Sequence, residues 1–160
     1  MSYAITTDTL QPQATASIRV TVPAAEIGPT MGQIIVEVMA YLNRLGIHPA
    51  GPPFARYYET GPVHVTMEVG FPVAKAVAPS GRVTAGELPG GEVAVTWHIG
   101  PYEKLGHAYA ALESWVKEHS RESSGPAWEI YWSDPGAPGG PTLTYDPASN
   151  CGASSVAMLR

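Results

Sequence analysis

The chain has 160 residues, enough for one domain or two small fused halves, and only 14% of them are charged, well below the usual quarter. Its net charge of -5 comes from scattered acids with no Lys/Arg run, which excludes phosphate-directed binding of nucleic acid as its main task. The single Cys151 has no internal disulfide partner and no Cys or His at metal-ligand spacing, so a reduced, cytoplasmic setting is expected, without metal or cofactor.

Residues 1–14 carry neither a positive region nor an apolar core, so they are expected to be a flexible segment and not a signal peptide. No apolar run approaches membrane-spanning length, and no membrane partner is expected. Ala16 to Pro23 alternates apolar with polar residues and predicts a strand stopped by Pro23. Met31, Ile34, Ile35, Val38, Met39, Leu42 and Leu45 then recur at helical spacing, with Gly46 as the stop. Two strands follow, Gly51 to Glu59 and Val63 to Phe71, joined at Thr60-Gly-Pro62.

Arg82 to Leu88 reads as a further strand, and Pro89-Gly-Gly91 turns the chain into the alternating Glu92 to Ile99. A second helix is predicted after Ile99-Gly-Pro101, with Leu105, Ala108, Tyr109, Leu112 and Val116 on one stripe. A polar linker leads to the strand in Gly125 to Pro135, and Thr142 to Tyr145 is the expected last strand. Residues 149–160 read as a C-terminal tail, of which Val156 to Leu159 is apolar enough to dock on a surface.

The landmarks repeat. Ile27-Gly28-Pro29 matches Ile99-Gly100-Pro101, Gly51-Pro52 matches Gly125-Pro126, and Phe54 to Tyr58 matches Trp128 to Trp132. Two pseudo-repeats, about 15–72 and 82–148, of a strand-helix-strand-strand unit predict an α+β domain at 15–148. Its antiparallel sheet would carry both helices on one face, with a groove near the pseudo-twofold axis.

Glu129 is the residue this pattern does not explain. Alternation sets it beside Tyr131 on one face of its strand, with Trp128, Ile130 and Trp132 on the other, and no Lys, Arg or His occurs between Glu122 and Leu159 to pair with it. A buried, unpaired carboxylate is costly and tends to take up a proton. The alternative is an edge strand with Glu129 in water. At the repeat-equivalent position stands Ala55, so the two halves place an acid opposite a small residue, as a binding site would need. His98 and Glu68 are read as solvated strand positions.

On Leu88-Pro-Gly-Gly91, Trp97 to Leu105, Trp128-Glu-Ile-Tyr131 and Leu143 to Pro147, the chain resembles the GyrI-like effector-binding family, found alone and at the C-terminus of AraC-type and MerR-type multidrug regulators. The resemblance covers roughly residues 16–148. It implies an aromatic pocket for lipophilic, often cationic compounds, with Glu129 facing the positive charge and Tyr102 and Tyr145 in its walls. Tyr57 and Tyr131, on the groove-facing phase of their strands, are added from alternation, as is Trp97, which equally suits a core. The segment before the first strand is too short for a helix-turn-helix, so the expected partner is a small molecule and not nucleic acid.

The resemblance also allows a hydrolase that opens the cyclopropane of DNA-alkylating natural products, with Glu129 as base and Tyr102 as donor to the developing phenolate. A third class, inhibition of a protein partner such as a topoisomerase, has no acidic run or exposed apolar helix in its favour.

Overall fold

The computed structural model describes residues 3–99, 104–123 and 125–132, together with the backbone of 153–159. Among them are the strands β1 (Ile5–Leu10), β2 (Gln13–Pro23), β3 (Phe54–Thr60), β4 (His64–Pro72), β5 (Thr84–Leu88), β6 (Gly91–Ile99), β7 (Trp128–Tyr131) and β8 (Ala153–Leu159). The helices are α1 (Ile27–Arg44) and α2 (Gly106–Glu118). The strands form one antiparallel sheet in the order β1-β6-β8-β7-β3-β4-β2-β5. The fold is α+β, as the alternating and helical periods predict.

Periodicity fixes which face each element buries. Met31, Ile34, Val38, Tyr41 and Leu42 form the buried stripe of α1, which packs on Ala16, Ile18, Met67 and Val69 of β2 and β4. The helix ends where Gly46 takes a left-handed φ of 67° and Ile47 N–H donates to Leu42 O at 2.9 Å, the closure that glycine allows. Ala108, Leu112 and Val116 of α2 pack with Ala94 of β6 on the same face of the sheet. The opposite face has its own core of Phe54, Leu88, Val93 and Trp128. Both sides of β3 and β7 are therefore covered, and the solvated-edge alternative for Glu129 is excluded.

Two stretches read as loose from the sequence are strands. Ile5–Leu10 lies in the segment expected to be flexible, yet it pairs with β6 from Ile5↔Thr96 to Leu10↔Gly91. Its Thr-rich composition lacks an apolar face, but Thr suits extended backbone, and the ladder to β6 supplies the rest. The strand that closes the sheet is β8, from the expected tail, paired with β6 on one side and β7 on the other. Its sequence, Ala-Ser-Ser-Val-Ala-Met-Leu, shows no alternation of apolar with polar residues, and its place in the sheet comes from two neighbours remote in sequence. The expected last strand, Thr142 to Tyr145, lies outside the described residues.

With β1 included, the repeat is one strand longer than the sequence indicates. β1-β2-α1-β3-β4 matches β5-β6-α2-β7-β8, and each half lends its first strand to the other, since β1 pairs with β6 and β5 with β2. The two short links that this exchange requires, Gln11-Pro12 and Pro89-Gly90, meet. A Cβ on Gly90 would lie 2.6 Å from Pro12 Cδ and 2.9 Å from Leu10 O, so only glycine fits there. Gly90→Ala is expected to cost about 1–3 kcal/mol of stability by urea denaturation. An unchanged midpoint would mean that the links separate without cost.

Candidate functional site

β3 and β7 pair at the centre of the sheet, and the two residues that the repeat equates, Ala55 and Glu129, face each other directly across them. The pseudo-twofold axis thus passes beside the carboxylate. Two acids at this pair would stand within reach of each other's repulsion, so only one half can carry the charge and the other must carry a small residue. Glu129 is 2% exposed and Ala55 fully buried.

Alternation along β7 puts Tyr131 on the same face as Glu129, and its Oη donates to Oε2. From α2, Tyr109 Oη donates to Oε1 at 2.6 Å. Tyr57 of β3 stands behind this pair, its hydroxyl 3.5 Å from that of Tyr131. Each carboxylate oxygen therefore has one phenol, and no ion pair to Glu129 is formed among the described residues. Burial drives the Glu129 pKa up to about 7, against the opposing pull of the two phenol hydrogen bonds. Burial, and then the charge on Glu129, push Tyr57, Tyr109 and Tyr131 above the ordinary phenol value, so all three remain neutral donors.

A cleft of 540 Å³ opens over this group, between the start of α1 at Ile27 and the first turns of α2. Tyr57, Leu105, Tyr109 and Ala127 form its walls with Glu129 inside, Glu113 also lines it, and no Lys, Arg or His among the described residues does. Aromatic faces, aliphatic surface and a buried acid thus meet in one cleft.

Of the residues expected at the site, Glu129, Tyr57 and Tyr131 are brought together here. Tyr131 is 3% exposed and stands behind the acid. Trp97 is not brought to the cleft. It belongs to the phase of β6 that carries Val93 and Val95, and it is half-exposed on the other face, its ring 5.9 Å from that of Trp132. Tyr102 and Tyr145 lie outside the described residues.

Tyr109 is the site residue that the sequence reading placed elsewhere. Its position on the apolar stripe of α2 marks it as core, and only the packing of α2 on β6 and β8, beside β7, turns its hydroxyl into the acid's partner. His98, read as solvated, is buried at 2% and its Nδ1 lies 2.9 Å from Tyr3 Oη. Its phase on β6 is the one under α2, where Tyr3 stacks on the ring. Glu68 is part-buried and accepts from Tyr58 Oη at 3.4 Å. Among the described residues no three His, Cys, Asp or Glu side chains gather to hold a metal ion, and no helix is long and apolar enough to cross a membrane.

Comparison with known proteins agrees with this architecture. EcmrR, in its complex with DNA, superposes with a TM-score of 0.78 at 17% identity, over 98% of this chain and 56% of that one. The chain thus spans little more than half of EcmrR, and it matches the isolated EcmrR C-terminal domain over 99% of this chain and 98% of that one, with a TM-score of 0.72 at 18% identity. A hydrolase encoded by lin2189 from Listeria innocua gives 0.63 at 12% identity, covering 96% of this chain and 90% of that one. SAV2435 bound to tetraphenylphosphonium gives 0.61 at 10% identity, covering 99% and 93%. No curated protein sequence matches the chain. At these identities the likenesses establish the fold. The family model of the GyrI-like small molecule binding domain, however, matches residues 4–145, and the chain belongs to that family.

Proposed function

We propose that the protein binds lipophilic organic cations in the cleft between its two halves, with Glu129 as the counter-charge. The observation that carries this reading is a carboxylate fully enclosed among phenols, with no cation among the described residues to neutralise it. A ligand with delocalised positive charge would supply what the fold withholds. The ring faces of Tyr57 and Tyr109 would each add on the order of 0.5–2 kcal/mol to a desolvated cation. Few directional contacts are involved, which suits several ligands of one charge type. The bound tetraphenylphosphonium of SAV2435, a protein of the same fold, supports this ligand class.

Binding of tetraphenylphosphonium, followed by equilibrium dialysis, tests it. Because the Glu129 pKa lies at about 7, protonation removes the counter-charge as pH falls. Affinity is therefore expected to drop roughly 6- to 20-fold between about pH 7.5 and 5.5, as the ionised fraction falls and the more weakly binding neutral form takes over. Affinity that is flat across this range, or absent throughout, would overturn the assignment.

The same geometry supports a second reading. A carboxylate titrating near neutrality beside two phenol donors suits a general base, and the Listeria innocua neighbour is a hydrolase. Water would give its proton to Glu129 and its oxygen to a cyclopropane carbon. The breaking C–C bond would send its electrons into the ring system to form a phenolate that a tyrosine stabilises. Both Glu129 oxygens already carry a phenol, which leaves one lone pair on each for this task. Loss of a cyclopropane-bearing alkylating agent on incubation, followed by mass spectrometry, separates turnover from binding.

A further inference from the structure

A second cleft, of 900 Å³, is built where the connection from α2 to β7 passes the Pro89-Gly90 link. Arg56 of β3 reaches it from the phase opposite to Ala55 and Tyr57, so it stands on the other side of the strand from the Glu129 cleft. Arg56 is half-buried as a residue, and its guanidinium takes part in neither ion pair formed among the described residues. Its one hydrogen bond there is from Nε to Pro126 O, at 3.4 Å. Glu68 stands opposite Arg56 in the β3–β4 ladder without closing an ion pair.

Other features of the cleft leave this charge available. The guanidinium carbon sits 5.4 Å from the Tyr58 ring centre and 5.7 Å from that of the buried Trp128, which holds the side chain in place without neutralising it. Gly125 stands beside Nη2, where even a Cβ would come to 3.6 Å. Across the cleft, Arg121 is paired with Glu92, and the His119 ring is fixed by Nδ1–H donating to Trp115 O at 2.8 Å, which leaves Nε2 to take a partner. Glu122 is an exposed acid on the rim. With Glu92 and Arg121 cancelling, Arg56 is the cation in this wall that has no ion-pair partner among the described residues.

The guanidinium of a half-buried arginine without an anion is unfavourable, and its planar fork matches the two oxygens of a carboxylate or phosphate. We propose that this cleft is a second binding site, separate from the Glu129 cleft, for a small organic anion bearing a carboxylate or a phosphate monoester, with Arg56 as its anchor. The two sites lie on opposite faces of the β3–β7 pair and take ligands of opposite charge.

The test is calorimetric titration of the full chain with phenyl phosphate and with benzoate at constant ionic strength, in wild type, Arg56→Gln, Arg56→Lys and Glu129→Gln. Saturable binding of at least one probe is expected in wild type and Glu129→Gln, weakened about tenfold or more in Arg56→Gln, with Arg56→Lys between them. Binding of phenyl phosphate alone would assign the site to phosphate monoesters, and of benzoate alone to carboxylates. No saturable binding of either probe at millimolar concentration, or equal affinity in Arg56→Gln, would overturn the proposal. Should Arg56→Gln fail to give the wild-type thermal transition, Arg56→Lys decides, since it keeps the charge and loses the fork. An unchanged affinity in that variant would likewise overturn it.

Discussion

Glu129→Gln is expected to weaken tetraphenylphosphonium binding on the order of 10- to 100-fold at pH 8, about 1.4–2.8 kcal/mol. The substitution keeps the shape of the side chain and removes the charge; its NH2 donates where a carboxylate oxygen accepted, as the O–H of the protonated acid would, so one phenol turns to accept. At pH 8 most of the wild-type carboxyl, with its pKa at about 7, is ionised, so the variant lacks an attraction that the wild type has in full. The loss is bounded below by the weakness of partly screened pairs and above by the cost of leaving a cation desolvated without an anion. Below about pH 5.5 the two proteins should bind alike, because protonation makes Glu129 as neutral as glutamine. Equal affinities at pH 8 would remove Glu129 from the binding energy. A difference that persists at low pH would mean that shape, and not charge, had been altered.

The same substitution should change stability in the opposite direction, and by a comparable amount. In the folded protein burial raises the Glu129 pKa from the ordinary 4.5 to about 7, so the folded state holds its proton where the unfolded chain has released it. Stability from this group is therefore complete below about pH 4.5 and is lost as pH rises through 7. The full loss is on the order of 2–4 kcal/mol, from roughly 1.4 kcal/mol per pKa unit. Glutamine has no such titration. Urea denaturation at a series of pH values should show Glu129→Gln gaining on wild type between about pH 4.5 and 7 and holding a constant lead above that. Parallel pH profiles would mean that Glu129 is as well solvated in the folded state as in the unfolded one. Saturating tetraphenylphosphonium should shrink the lead at pH 8, since it binds the folded wild type more tightly than the variant. A group that weakens the empty protein and strengthens the complex is the usual thermodynamic mark of a binding residue.

The pseudo-symmetry explains why this cost is confined to one residue. Ala55 and Glu129 occupy one cross-strand pair on the axis, so a faithful duplication would have placed two like residues in contact. Two alanines would give a neutral pocket and two glutamates a repelling pair. One of each leaves a single negative charge with room in front of it, enclosed by the phenols of Tyr57, Tyr109 and Tyr131.

What was legible in the sequence follows from local rules. The apolar spacing of α1 and its Gly46 stop, the alternation of β2, β4 and β6, and the Gly-Pro landmarks give the α+β class and the duplication, because each depends on residues a few positions apart. Glu129 could be singled out in the same way, as an acid in an aromatic strand with no cation nearby, and Tyr57 and Tyr131 by strand phase. Long-range pairing decided the rest. β1 and β8 owe their order to β6 and β7, far along the chain, and the exchange of first strands between halves has no local signature. Tyr109 looks like core until α2 packs on β6 and β8 beside the acid's strand, and Trp97 like a wall until β6 turns it to the other face. Burial, the pKa of about 7 and the cleft of 540 Å³ are properties of that assembly. The sequence alone determined that an acid with no cation near it in the chain would sit in an aromatic strand. The tertiary structure determined that it would be central, enclosed, held by phenols and set beside a cleft, because desolvation and hydrogen bonding depend on what is close in space and not on what is close in the chain.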